Sequence, residues 1–214
     1  MCMSRGGENT GIVIFGAGQQ GRVCKRLAIE NGYKVVAFID DFKTGEVEGV
    51  PVYQSVGQIE NFWKYKYFVG VGEIAPRKRF ISEIERLGLE SVNLIDRAAY
   101  IEGGAHLGTG NYICKLAIIY ASAKIGNYNI INCKAVLATD SVVGNNNNVS
   151  MGCNLCGGVN VGNDCYIGCQ ASVVSECCIG DGSTVAAGSV VLQNVPAGSF
   201  VAGAPAVRKE RKKR

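Results

Sequence analysis

A single histidine stands in a chain of 214 residues. Chemistry that needs several imidazoles from one subunit, a three-histidine zinc site above all, is excluded by that count. No apolar run reaches the roughly eighteen residues of a membrane span. The start of the chain, Met1–Asn9, is polar and glycine-bearing and has no secretory pattern. The expectation is therefore a cytoplasmic protein with no membrane partner. The ten cysteines come with no export signal, and the chain is long enough to build cores without cross-links, so they read as reduced thiols. Cys153 and Cys156 form a C-x-x-C that lacks the second pair or the histidines of a zinc ligand set, and no metal is expected. A basic surface is missing too. Of the net charge of +4, the segment Arg208–Arg214 alone carries +5, leaving −1 for everything else. A basic end without a basic fold does not point to nucleic acid.

What the chain does have is a period. From Ile101 to Val191 an aliphatic residue returns at every sixth position, sixteen times in succession. The residue after it is often glycine (Gly108, Gly126, Gly144, Gly162, Gly168, Gly180), and the fourth after it is usually small (Ala105, Ala117, Ser141, Cys153, Cys165, Ala171). A 3.6-residue helical face cannot be drawn through a strict six-residue repeat. Three short strands and three tight turns per coil can follow it, with the aliphatics pointing to the axis of a triangular prism. The second half of the chain is thus expected to be all-β, a hexapeptide β-helix of a little over five coils. Glycine at the corner is expected to supply backbone angles that a Cβ opposes. The segment Asn194–Ala206 leaves the register and reads as a cap.

The first half has another pattern. GIVIFG is an apolar strand running into Gly16-Ala17-Gly18-Gln19-Gln20-Gly21, followed by a helical stretch to about Gly32. The strand VVAFID then ends at Asp40 and Asp41. This is a βαβ opening with G-x-G-x-x-G at its first turn and an acid about 20 residues on, the arrangement of a Rossmann-like nucleotide site. Glycines let backbone approach a phosphate, the helix N-terminus offers N–H groups, and the acid suits a ribose hydroxyl. The alternative is a glycine-rich turn that binds nothing. After a turn through Gly49–Pro51, a helix is expected over about 55–66, a strand over 67–71, a helix over about 76–87 and a short strand over 92–95. At about 95 residues the domain is too short for two mononucleotide halves, which favours one nucleotide over NAD. The expected division is 1–96, a Rossmann-like α/β nucleotide-binding domain, and 97–214, a β-helix domain with its cap and basic tail.

The work of the two domains is read from a resemblance. FGAGQQG and AFIDD joined to hexapeptide repeats, and a close reading VP-x-G-S-F-V-A-G-x-PA, resemble the sugar O/N-acyltransferases of the bacterial sialic-acid and bacillosamine pathways. The resemblance implies a left-handed β-helix and a homotrimer. It also implies acetyl-CoA along the groove between neighbouring β-helices and a nucleotide-linked amino sugar held by the N-terminal domain. On matching positions, Gly16, Gly18 and Gly21 would cradle phosphates, and Asp40 and Asp41 would hold the nucleoside. Gly157, Gly158 and Ala187 would line the pantetheine arm, Gly203, Ala204 and Pro205 would lie against the coenzyme, and Arg208 would meet a CoA phosphate. The family's general base, a histidine followed by an acid, falls on Thr139-Asp140 here. A second family histidine falls on Asn148, and others on Gln20 and Asp96. The lone histidine, His106, sits in the first coil, about 9 Å along the axis from the Thr139 corner, and reads as a surface residue. Asp140 is then the candidate base, with Thr139 beside it and Asn148 as a candidate partner for the thioester oxygen. An amine acceptor suits this set better than a hydroxyl, because a neutral amine attacks before it must lose a proton. The rival reading is a relative that binds sugar nucleotide or CoA without efficient transfer.

Overall fold

The structure is a computed structural model, and it describes residues 10–210. Met1–Asn9, read as having no secretory pattern, and the last four residues of the basic tail lie outside the described residues. The backbone clusters into two compact units, one ending at Asp96 and the other beginning at Arg97. No helix among the described residues is long and apolar enough to cross a membrane.

The first unit is a five-stranded sheet with two helices. Its strands are β1 (Gly11–Phe15), β2 (Lys34–Ile39), β3 (Gly45–Val47), β4 (Val50–Tyr53) and β5 (Lys66–Val69), in the spatial order β3-β4-β2-β1-β5. All neighbours run parallel except β3 and β4, which form an antiparallel hairpin. Helix α1 (Gln19–Glu30) follows β1 and α2 (Ile74–Arg86) follows β5, and a short strand, Leu94–Ile95, ends the unit. The core is the run Ile12–Phe15 with Phe38, Ile39, Tyr67, Phe68, Phe80 and Ile84, each at most 5% exposed. Such continuous apolar runs mark strands covered on both faces.

One expectation fails here, and one is sharpened. The helix expected over 55–66 is a pair of 3₁₀ turns, Val56–Gln58 and Phe62–Lys64. Ser55 and Gln58 close the first with a capping box, and Asn61 then takes a left-handed φ of 53°, which stops any continuation. The turn expected at Gly49 is the tip of the β3–β4 hairpin, where Glu48 (φ 49°) and Gly49 (φ 78°) reverse the chain as a pair of positive-φ residues does.

In the second unit each of the sixteen aliphatics is the second residue of a two-residue strand, from Tyr100–Ile101 to Val190–Val191. Strands eighteen residues apart pair in parallel and stack into three walls. The first wall starts at Tyr100–Ile101 and the second at His106–Leu107, and Tyr112–Ile113 belongs to the third. The third wall continues into Phe200–Ala202 and ends on Val207–Arg208, which runs antiparallel to it.

The corners obey a second six-residue register. Every sixth residue from Gly104 to Gly188 has a left-handed φ between 56° and 91°, most of them non-glycine, including Leu116, Tyr128, Asp140 and Glu176. The glycines named from the sequence have another role. None has a positive φ; instead a β-carbon on Gly126 or Gly144 would stand 2.6 Å from the carbonyl oxygen of the coil above. They are small because successive coils meet there.

The corner between the second and third walls is closed by two asparagine columns. Asn111, Asn129 and Asn147, all 0% exposed, pass a side-chain oxygen up to the backbone N–H eighteen residues on, ending at Cys165. Outside them Thr109, Asn127, Asn145 and Asn163 take the oxygens of Asn127, Asn145, Asn163 and Asp181 in the same way. Each side chain thus satisfies a turn amide that no strand ladder reaches.

Candidate functional site

The glycine turn between β1 and α1 is held by close packing. Gly16 has φ 97° and donates its N–H to the Ile39 carbonyl at 2.6 Å. A β-carbon on Gly21 would lie 1.8 Å from the Gly16 oxygen, and one on Gly70 would lie 2.8 Å from the Gly21 Cα. Gly18, which caps α1, has nothing within 4 Å of the place a β-carbon would take. Gly16 and Gly21 thus weld the turn to the sheet, while Gly18 leaves an open approach to the helix N-terminus.

Asp40 locks the same turn. Its Oδ2 accepts the Ala17 N–H at 2.8 Å, and its Oδ1 accepts those of Phe42 and Lys43 at 3.0 Å each. Lys43 Nζ donates to the Ala17 carbonyl at 2.9 Å. Burial opposes ionisation, but the three N–H donors and the Lys43 charge outweigh it and hold the carboxyl below its usual range. Asp41 has a different partner: it pairs with Arg79 in the middle of α2, whose guanidinium lies 4.6 Å from the Phe80 ring centre.

On the β-helix, Thr139 and Asp140 share the corner between the first and second walls with Gly157 and Gly158, one coil on. Gly158 donates its N–H to the Thr139 carbonyl at 3.1 Å, and Glu176 repeats the contact to Gly157 at 3.0 Å. Thr139 and Asp140 are exposed, and Asp140 takes its left-handed φ of 60° from the corner register. The expected catalytic pair and the expected glycines are therefore neighbours on one edge.

Asn148 is not on that edge. It begins a strand of the third wall, with the second wall between it and Asp140 along the coil, and its Oδ1 accepts from Ser150 Oγ at 3.3 Å. Ala187 occupies the corner between the third and first walls, above Cys169, whose carbonyl accepts the Gly188 N–H at 2.8 Å. Gly203–Pro205 lies against the same corner: the Gly203 N–H reaches Ser189 Oγ at 3.2 Å, and the Val190 N–H reaches the Gly203 carbonyl at 3.0 Å. Within one chain the residues proposed from the sequence are thus divided between two edges. His106 is exposed on the second wall.

The C-terminal end adds a groove the sequence did not single out. Thr184, Ser199, Phe200, Arg208, Lys209 and Glu210 line it, and Ser199 Oγ is buried there without a hydrogen-bond partner. Two cations, a hydroxyl and an aromatic face suit a phosphate-bearing group. The signal lay in PAGSFVAG, whose Val201 and Ala202 pair with Arg208 and Val207.

Residues 11–84 match the PglD N-terminal domain family, and residues 158–193 match the bacterial transferase hexapeptide family of six repeats. The chain thus carries a PglD-type N-terminal domain and a hexapeptide-repeat domain, and its second unit is a hexapeptide β-helix, as the resemblance implied. The acetyltransferase domain of PglB from Neisseria gonorrhoeae, solved with acetyl coenzyme A, superposes with a TM-score of 0.87 at 27% identity, covering 94% of this chain and 100% of that one. A perosamine N-acetyltransferase from Caulobacter crescentus, solved with CoA and GDP-perosamine, gives 0.87 at 28% identity, covering 94% and 97%. WeeI from Acinetobacter baumannii shares the fold at 24% identity and a TM-score of 0.85, covering 94% and 100%. Among curated proteins, an uncharacterized protein of Acanthamoeba polyphaga mimivirus is 25% identical over 103 residues, 48% of this chain. The match spans 21% of that viral protein, about a fifth of its length.

Proposed function

We propose that this chain is an acetyl-CoA-dependent N-acetyltransferase acting on a nucleotide-linked amino sugar in the making of a surface glycan, and that it works as a homotrimer. The observation that carries the reading is the exposed edge where Thr139 and Asp140 stand one coil from Gly157 and Gly158. It joins an acid to a strip of small residues along which a thin thioester arm can lie. The likeness to acetyltransferases solved with acetyl-CoA, or with CoA and GDP-perosamine, supports it.

In this reading the N-terminal unit holds the sugar nucleotide: its phosphates lie against Gly18 and the amides of α1, on a turn made rigid by Gly16, Gly21 and Asp40. Asp41 and Arg79 face the nucleoside as a pair. Acetyl-CoA runs past Gly157 and Gly158 and, on a neighbouring chain, past Ala187 and Gly203–Pro205, with Arg208 toward its phosphates. The division of these residues between two edges of one chain is what favours a shared site. The first wall supplies a face for a second copy, with Tyr100 56% exposed, Tyr120 39% and Leu192 51%; such apolar columns favour burial against another chain. The sugar amine attacks the thioester carbonyl, Asp140 accepts the proton lost from nitrogen, the C–S bond breaks, and the proton passes to the leaving sulfur so that CoA departs as its thiol. Asn148 of an adjoining chain, or a backbone N–H, stabilises the oxyanion.

The test is transfer from acetyl-CoA to a panel of GDP-, UDP-, dTDP- and CMP-linked amino sugars, read as release of the CoA thiol. Asp140→Asn should lower kcat by roughly 10²–10⁴-fold with KM little changed, and light scattering should give three chains. Undiminished turnover would remove Asp140 from its role. Tight binding of both ligands with no transfer would instead support a relative that binds without turnover, the reading that Thr139 in the histidine position favours.

A further inference from the structure

A coil of eighteen residues makes residue i + 19 the diagonal neighbour of residue i, one coil up and one residue along. Cys114 and Cys133 stand in that relation. Cys114 follows Ile113 at the end of a third-wall strand, and Cys133 is a corner residue of the next coil. With a strand spacing of about 4.8 Å and one residue step of 3.8 Å, their Cα atoms are about 6 Å apart, inside the range that a disulfide spans.

The side chains close the gap. The two Sγ atoms are 2.7 Å apart, well short of an ordinary contact between thiols and longer than a bond. Both backbones are fixed by ladder bonds, Cys114 N–H to the Ile131 carbonyl at 2.9 Å and Gly152 N–H to the Cys133 carbonyl at 2.9 Å. Tyr112 Oη donates to Cys114 Sγ at 3.6 Å and fixes its rotamer. Cys114 is 9% exposed and Cys133 is half-buried, so of the two Cys133 is the more open to a reagent. Other thiols of the spindle are unsuited to this: burial pushes Cys153 and Cys165 up to about 11, where the thiolate is scarce.

We propose that Cys114 and Cys133 are a redox modification site, closed to an intrachain disulfide by a hydroperoxide and reopened by a dithiol. The Cys133 sulfur attacks one peroxide oxygen, the O–O bond breaks, and water leaves to give a sulfenic acid. The Cys114 sulfur then attacks that sulfur, the S–O bond breaks, and a second water leaves. The two thiols lose two electrons and two protons, and hydrogen peroxide is reduced to two waters. The bridge fixes the corner column that runs through Met151 and Cys169 to Ala187.

The test uses the full chain, reduced, desalted, treated with a small excess of hydrogen peroxide, alkylated with N-ethylmaleimide and digested with trypsin without reduction. Cleavage after Arg97, Lys115, Lys124 and Lys134 leaves Cys114 in peptide 98–115 and Cys133 in peptide 125–134, each with one cysteine. The expected product is these two peptides joined, lighter than their sum by two hydrogens and separated by dithiothreitol, while the chain still runs as a monomer on a non-reducing denaturing gel. In Cys114→Ser, Cys133 should pass on to sulfinic acid at peroxide levels that leave it reversible in the parent. Alkylation of both thiols after peroxide has oxidised the exposed Cys178, a link between two chains, or the same fate for Cys133 in parent and variant would overturn the proposal.

Discussion

Gly21 sits directly over Gly16: a β-carbon on Gly21 would fall 1.8 Å from the Gly16 carbonyl oxygen, and backbone cannot yield that distance by a rotamer change. Gly21→Ala should therefore destabilise the N-terminal unit by about 3 kcal/mol or more. Urea unfolding followed by circular dichroism should show the helical signal lost early while the β-helix persists. An unchanged midpoint would mean that the turn is looser than its packing indicates.

Asp40 ties the same turn through Ala17, Phe42 and Lys43. Its folded carboxyl lies below the ordinary 3.8, so its stabilisation is complete above that value and is lost as pH falls through the lower folded one. Asp40→Asn should lower the denaturation midpoint of the unit at about pH 6 and flatten its fall below about pH 4. A variant whose acid profile overlies that of the parent would assign the carboxylate no part in the fold.

Much of the fold could be read before any coordinates were at hand. The strands of the second unit fall where the aliphatics fall because an inward residue is forced at each six-residue step, and a periodic constraint repeats its signal sixteen times. The β3–β4 hairpin and the two 3₁₀ turns were hidden because each is decided once, by Glu48-Gly49 or by a left-handed Asn61. The corner glycines were found for the wrong reason. Six-residue spacing marks where coils touch, but which corner residue turns left-handed is decided by the strand ladder, and that residue is more often a side-chain-bearing one, such as Leu116, Tyr128 or Asp140, than a glycine. At the candidate site, the pairing of Thr139-Asp140 with Gly157-Gly158 follows from simple arithmetic on eighteen. The C-terminal groove does not, since it depends on how the chain folds back after leaving the repeat.

The asparagine columns give the next prediction. Asn147 is fully buried, donates Nδ2 to the Gly162 carbonyl at 2.8 Å and accepts the Cys165 N–H at 2.7 Å. Asn147→Ala strands both groups without water and should cost about 3 kcal/mol. Asn145 is exposed, and water can replace its bonds, so Asn145→Ala should cost under about 1 kcal/mol. Guanidinium midpoints of the two variants give the comparison, and equal losses would refute the distinction.

Thr139 offers a gain-of-function test. Thr139→His places an imidazole beside Asp140 on the exposed edge, where the resemblance sets the missing base. Turnover with the preferred amino sugar should rise, by up to roughly 10²-fold, and kcat should acquire a titration near pH 6.5. If the rate and its pH profile stay as they were, the chemistry is not at that corner.

The two registers of the β-helix have unequal tolerance for change in length. An added hexad keeps every aliphatic facing inward, yet it sets Asn127 and Asn145 on different edges, and the amides they satisfied are left bare. Growth or loss in this lineage should therefore come in complete windings of eighteen. A library of duplications, sorted for solubility, would show survivors clustered at that length and its multiples.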